Sequence, residues 1–138
     1  MRVLFAAALC CLASSQPAVV RVTVRLLDVR PQKGGVLHAG LHREPGLSFP
    51  GPSPTTNIDA SPRDNETILS FEVPPGVYAV AVYHDANSNG KLDANFLGIP
   101  KEGYGVSNDV RPRFRPPRFS EARVMVTRDT TLVVHMSY

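Results

Sequence analysis

The chain has two cysteines, Cys10 and Cys11, and none after them. Both lie in the only long apolar run, residues 3–13 (VLFAAALCCLA), which follows Met1 and Arg2 and leads into Ala13-Ser14-Ser15. A short positive start, an apolar stretch and a small-residue exit make the pattern of a secretory leader. Residues 1–15 are therefore read as a signal peptide and residues 16–138 as one domain. The run is too short for the roughly 30 Å of bilayer hydrocarbon, and no second one follows, so no membrane span is expected. Small residues of the kind that precede an acylated cysteine are missing before Cys10 and Cys11, which argues against a lipid anchor. Without its leader the domain has no thiol, and in an oxidising compartment its stability has to come from core packing. Excess charge is scarce too: 15 Lys and Arg face 12 Asp and Glu, a net +3. That excess is too small to point to nucleic acid as a partner.

A sustained 3.6-residue apolar period is also missing after the leader, whereas period-two alternation is frequent. Successive strand side chains point to opposite faces of a sheet. Val20, Val22, Val24 and Leu26 alternate with Arg21, Thr23 and Arg25, and Leu132, Val134, Met136 and Tyr138 alternate with smaller or more polar neighbours. Leu37 to Leu41, Leu69 to Val73 and Val124 to Val126 add three further strands. The run Val77 to Tyr83 (VYAVAVY) is apolar on both faces, as a central strand would be. The mature chain is thus expected to be all-β, a sandwich or barrel of short strands. In PPGVY (Pro74 to Tyr78) a proline and a glycine preset a turn, so the strand ending at Val73 should reverse into the next. Tyr78, two residues past that glycine, is placed either as a tyrosine corner bonding back to upstream backbone or as ordinary core.

Two long connections separate these strands. Residues 43–66 hold several prolines and little apolar content, which reads as a mobile surface loop. Residues 85–118 are unusually long for an unstructured stretch in a small domain. They open on DANSNGKLD, Asp85 to Asp93. Calcium takes six to eight oxygen ligands, and a loop supplies them when every second side chain carries oxygen and a glycine permits a sharp bend. Asp85, Asn87, Asn89 and Asp93 are the side-chain candidates, Lys91 offers its carbonyl, and Gly90 makes the bend. The twelfth position, where a helix-loop-helix site needs glutamate, is Phe96, and the flanks are strand-like. The remaining reading is a weak calcium loop on a β scaffold, completed by Asp109 or Glu102. The alternative is a metal-free bend in which the Asp and Asn side chains bond their own backbone.

Catalytic patterns are sparse. His84 beside Asp85 suggests a hydrolase-like alternative using His84 and the loop carboxylates, but Ser107 lacks the GxSxG turn of an activated nucleophile. His38, His42 and His135 fall on outward faces without evident partners. The segment RPRFRPPRF, Arg111 to Phe119, carries Arg111, Arg113, Arg115 and Arg118, which would meet oxyanions of an envelope glycan or lipid, or remain a solvated loop.

Taken together, PPGVYAVAVYHDANSNGKLD, the following NFLGIPKEGYG and the PPRFSEA approach to the penultimate strand resemble the bacterial domain of unknown function 2141 family over nearly the whole mature chain. That resemblance implies an exported single domain with a Greek-key sandwich of about seven strands, transthyretin-like or carboxypeptidase-regulatory-like, and no catalytic residue to carry over. Val106 and Asp109 stand where the family pattern leads one to expect Phe and Asn. It also suggests that Phe96, Leu97 and Ile99 fold back onto one end of the sandwich. The expected function is that of an exported, non-enzymatic domain in the periplasm or outside the cell, with Ca2+ as its only candidate cofactor. Its partner would be an envelope protein or glycan. A purely structural subunit pairing by strand edges is the other alternative.

Overall fold

The computed structural model describes residues 16–138, so the signal peptide expected at residues 1–15 lies outside the described residues. Eight strands form two sheets. In chain order they are β1 (Val20–Leu27), β2 (Val36–Arg43), β3 (Thr56–Ala60), β4 (Thr67–Val73), β5 (Gly76–Asp85), β6 (Gly103–Val106), β7 (Val124–Val126) and β8 (Thr130–His135). A four-residue helix, α1 (Phe119–Ala122), precedes β7. The three-stranded sheet runs β4-β1-β8, with β8 parallel to β1. The larger sheet runs β3-β2-β5-β6, and β7 continues the β6 edge by pairing with the start of β5. The all-β sandwich read from the alternation is present.

The alternating residues meet between the sheets. Val22, Val24 and Leu26 of β1 and Leu69, Phe71 and Val73 of β4 face Leu37, Ala39 and Leu41 of β2 and Val80 and Val82 of β5, and all are buried. Burying a side chain of this size contributes about 1.5–3 kcal/mol, which is how a domain without disulfides holds together. β5 is central as expected, with β2 on one side and β6 and β7 on the other.

The two long connections are corrected, and the Tyr78 alternative is decided. β4 leads through Pro74-Pro75 into β5, which belongs to the opposite sheet, so that corner is an arch across the sandwich. The Tyr78 hydroxyl donates to the Pro74 carbonyl at 2.7 Å and fixes that arch, so the tyrosine-corner alternative is the one present. Residues 43–66 contain β3, and residues 85–118 contain β6.

The outer face of the larger sheet has two halves. At the β7 end it is covered: Ala79, Val106 and Ala122 pack together, with Phe49 and Phe119 against them. His42 is buried there, its ring edge-on to Phe49 at 5.2 Å. At the other end the face is open, and the long 85–102 connection rises beside it.

Candidate functional site

The end of β5 reads Tyr83-His84-Asp85, and strand alternation sends His84 inward while Tyr83 and Asp85 face out. His84 is fully buried. Its Nε2 lies 2.6 Å from the Gly34 carbonyl, which only accepts, so Nε2 donates. Nδ1 then takes the Tyr138 hydroxyl proton at 2.7 Å, and that hydroxyl accepts from the Arg30 N–H. Gly35 has φ 71, and a Cβ on it would overlap the Asp85 carbonyl. Ser107 is buried as well, receiving the Val80 N–H and donating to the Ala122 carbonyl. His84, Asp85 and Ser107 therefore point to different partners and do not converge.

Asp85 is nearly inaccessible and organises the bend after it. Its carboxylate accepts from the Asn89 N–H at 3.0 Å and the Gly90 N–H at 2.7 Å, and His38 Nε2 lies at 3.4 Å. Burial alone would raise the Asp85 carboxyl, but the Gly90 and Asn89 amides and His38 outweigh it and hold it below the ordinary range. Asn87 Oδ1 accepts from the Asn89 N–H, and Asn89 Oδ1 accepts from the Lys91 N–H. Ser88, with φ 57, and Gly90, with φ 79, supply the left-handed positions of the bend, the latter at no steric cost.

Asp93 closes the ring from the far side. The Asn87 amide donates to it at 2.7 Å and the Asn89 amide at 2.8 Å, and these bonds, Asn89 foremost, hold its carboxyl low. Glu102, at the foot of β6, clamps both ends: one oxygen accepts from the Ala86 N–H and the other from the Asp93 N–H, each at 3.0 Å. Asp85, Asn87, Asn89 and Asp93 thus gather around one bend over Glu102, with Lys91 on its outer edge. Asp109 does not join them. It sits beyond β6, where its carboxylate accepts from the His135 N–H at 2.9 Å and meets Nδ1 of the same residue at 2.7 Å. Among the described residues no three or more His, Cys, Asp or Glu side chains form a metal-holding cluster, so a cation here would depend on the asparagine oxygens.

His38 and His135 do have partners, contrary to expectation. His38 Nδ1 is 2.7 Å from Asp59, and its ring lies against Tyr83 at 4.7 Å. Alternation placed His38 on the outer face; the cross-strand registers that bring Asp59 and Tyr83 beside it are a property of the sheet. Tyr83 is raised by burial first and then by the carboxylates of Asp85, Asp59 and Glu102.

Beyond these groups the open half of the outer face forms a groove of about 1340 Å3. Gly40 and Ala81 sit side by side in its floor, and the row Asp59, His38, Tyr83, Tyr104 crosses one end. Loops 90–100 and 111–117 form walls. The model of a family described as an uncharacterized protein conserved in bacteria (DUF2141) matches residues 24–133.

The chain belongs to the DUF2141 family. No curated protein and no solved structure matches it. The matched span of this DUF2141 chain runs from β1 into β8 and includes the acidic bend, its Glu102 clamp and both loops along the groove. No helix among the described residues is long and apolar enough to cross a membrane.

Proposed function

We propose that this DUF2141 chain is an exported, non-enzymatic β-sandwich domain of the periplasm or cell exterior, whose 85–102 connection takes up a calcium ion and steadies a face presented to an envelope protein or glycan. The observation that carries the calcium reading is the closure of the bend. The Asn87 and Asn89 amides both reach Asp93 within 2.8 Å, opposite the buried Asp85 carboxylate. Rotating each amide about its last bond presents oxygen where it now presents N–H2, at the cost of the bonds that Asn87 Oδ1 and Asn89 Oδ1 accept from the Asn89 and Lys91 N–H groups. A cation between Asp93 and the asparagines would have to outweigh that loss. The backbone N–H bonds to Asp85 can persist, since a carboxylate offers about four lone-pair sites.

With two carboxylates and two amides the affinity belongs in the weak range of extracellular modules, a Kd on the order of 10⁻⁴–10⁻³ M. The burial and full engagement of His84 and Ser107 support the non-enzymatic part. A thermal melt with and without millimolar CaCl2 tests the calcium reading. Calcium should raise Tm in the parent protein and leave the Asp85→Asn/Asp93→Asn variant unmoved. An unchanged parent Tm would leave the loop as a self-bonded turn.

A further inference from the structure

The two loops that wall the groove expose apolar side chains that a folded domain normally covers. Phe96 is 95% exposed, Leu97 69%, Ile99 52% and Phe114 98%. This corrects the expectation that NFLGIP folds back onto the sandwich. Residues 93–101 close instead into a small hairpin: Lys101 N–H donates to the Asp93 carbonyl, Asn95 N–H to the Ile99 carbonyl, and Ala94 bridges Pro100. Asn95 Oδ1 caps the tip by accepting from the Leu97 and Ile99 N–H groups. Phe96 and Leu97 are therefore held outward by a formed turn. Phe114 stands exposed in the proline-rich stretch 111–117 on another wall. Single exposed apolar residues are ordinary, but Leu97, Ile99 and Phe114 line one groove from two walls, with Phe96 exposed beside Leu97, and such a set marks an interaction surface.

Charge on the same walls selects the partner. Lys91, Arg111 and Arg113 line the groove, and among the described residues none has a carboxylate within ion-pair distance. Arg115 beside them is neutralised by its paired contact with Glu121. Of the acidic groups at the far end, Asp85 and Glu102 are buried and bonded to backbone N–H, Asp93 is bonded to the Asn87 and Asn89 amides, and Asp59, which lines the groove, is exposed but sits against His38. Arg111 is bonded to the His135 carbonyl, which leaves Lys91 and Arg113 as the freest cations. Aromatic and aliphatic tips interspersed with cations outside ion pairs are the chemistry of a surface that settles into the headgroup boundary of an anionic bilayer. A peptide strand in the groove would fit less well, since the floor strands β2 and β5 are paired on both sides and leave its backbone without partners.

We propose that loops 91–99 and 111–115 dock this domain on an anionic lipid surface, with Phe96, Leu97 and Phe114 entering the headgroup–acyl boundary and Lys91, Arg111 and Arg113 lying at the lipid phosphates. This goes beyond the calcium reading and is tested without it, in EDTA. The purified protein is co-sedimented with vesicles of phosphatidylglycerol and phosphatidylcholine, and with phosphatidylcholine vesicles alone. The expected result is binding to the mixed vesicles that weakens as salt is raised. The partition coefficient should fall about tenfold or more in Phe96→Ser/Phe114→Ser and by a similar factor in Lys91→Gln/Arg113→Gln. All four side chains are exposed, so Tm should be unchanged and the comparison is between folded proteins. No binding to phosphatidylglycerol vesicles at low salt overturns the proposal. So does binding that the phenylalanine variant retains in full, which would leave the patch to a protein partner.

Discussion

Glu102 spans the acidic bend from below, and its two oxygens are not interchangeable with any neutral side chain. Each accepts a backbone N–H, Ala86 on one side and Asp93 on the other. Glutamine keeps the length but replaces one acceptor by a donor, so Glu102→Gln leaves one of those amides facing N–H2. With Glu102 almost wholly buried, the expected loss is about 1–3 kcal/mol. It should be read as a lower denaturant midpoint together with faster hydrogen exchange at either Ala86 or Asp93. At this scale much of the bend was legible. The alternating oxygens of Asp85, Asn87 and Asn89 and the glycine after them announce a tight turn whether or not a cation joins it. The Glu102 clamp was not, because it depends on β6 returning beside β5. Asp109 looked equally suitable by spacing and was claimed by His135.

Among the elements, the legible ones were those with two or more large apolar residues on one face. β1, β2, β4, β5, β7 and β8 met that condition. β3 did not: Asn57 and Asp59 share its outward face, and it pairs on one side only. β6 was hidden by its glycines. In GYGV a Cβ at Gly103 would overlap the Tyr138 ring, and one at Gly105 would come within 2.8 Å of Val134; the glycines are there because the C-terminal strand crosses so closely. Helix α1 is too short for any periodicity to show. It is held by Glu121, which receives both guanidinium nitrogens of Arg115 and the N–H of Arg118. Those bonds, Arg115 first, bring the Glu121 carboxyl from 4.5 to about 2. A carboxyl lowered by folding stabilises the folded form above its unfolded value and loses that contribution as the pH falls toward its folded one. The Tm difference between the parent and Glu121→Gln should therefore be full above about pH 4.5 and shrink to nothing near pH 2. A difference independent of pH would assign the effect to lost packing.

At the scale of the whole molecule, the Pro74-Pro75 arch is where the chain passes from one sheet to the other, and Tyr78 ties it down from inside the core. Tyr78→Phe keeps the ring and removes only the hydroxyl bond to the Pro74 carbonyl, so it should cost about 1 kcal/mol. Urea unfolding should show a lower midpoint with an unchanged slope, since the surface exposed on unfolding is the same. The amino-acid sequence determined by itself that this is an all-β domain without disulfides, which residues face its core, and that an oxygen-rich bend follows its central strand. Those features depend on side chains one or two positions apart along a single strand or turn. Sheet assignment, the burial of His42 and His84, the Glu102 clamp, the separation of Asp109 from the bend and the outward display of Phe96 and Phe114 were decided only by tertiary structure. Each of them depends on which distant segment packs alongside, and local periodicity carries no record of that.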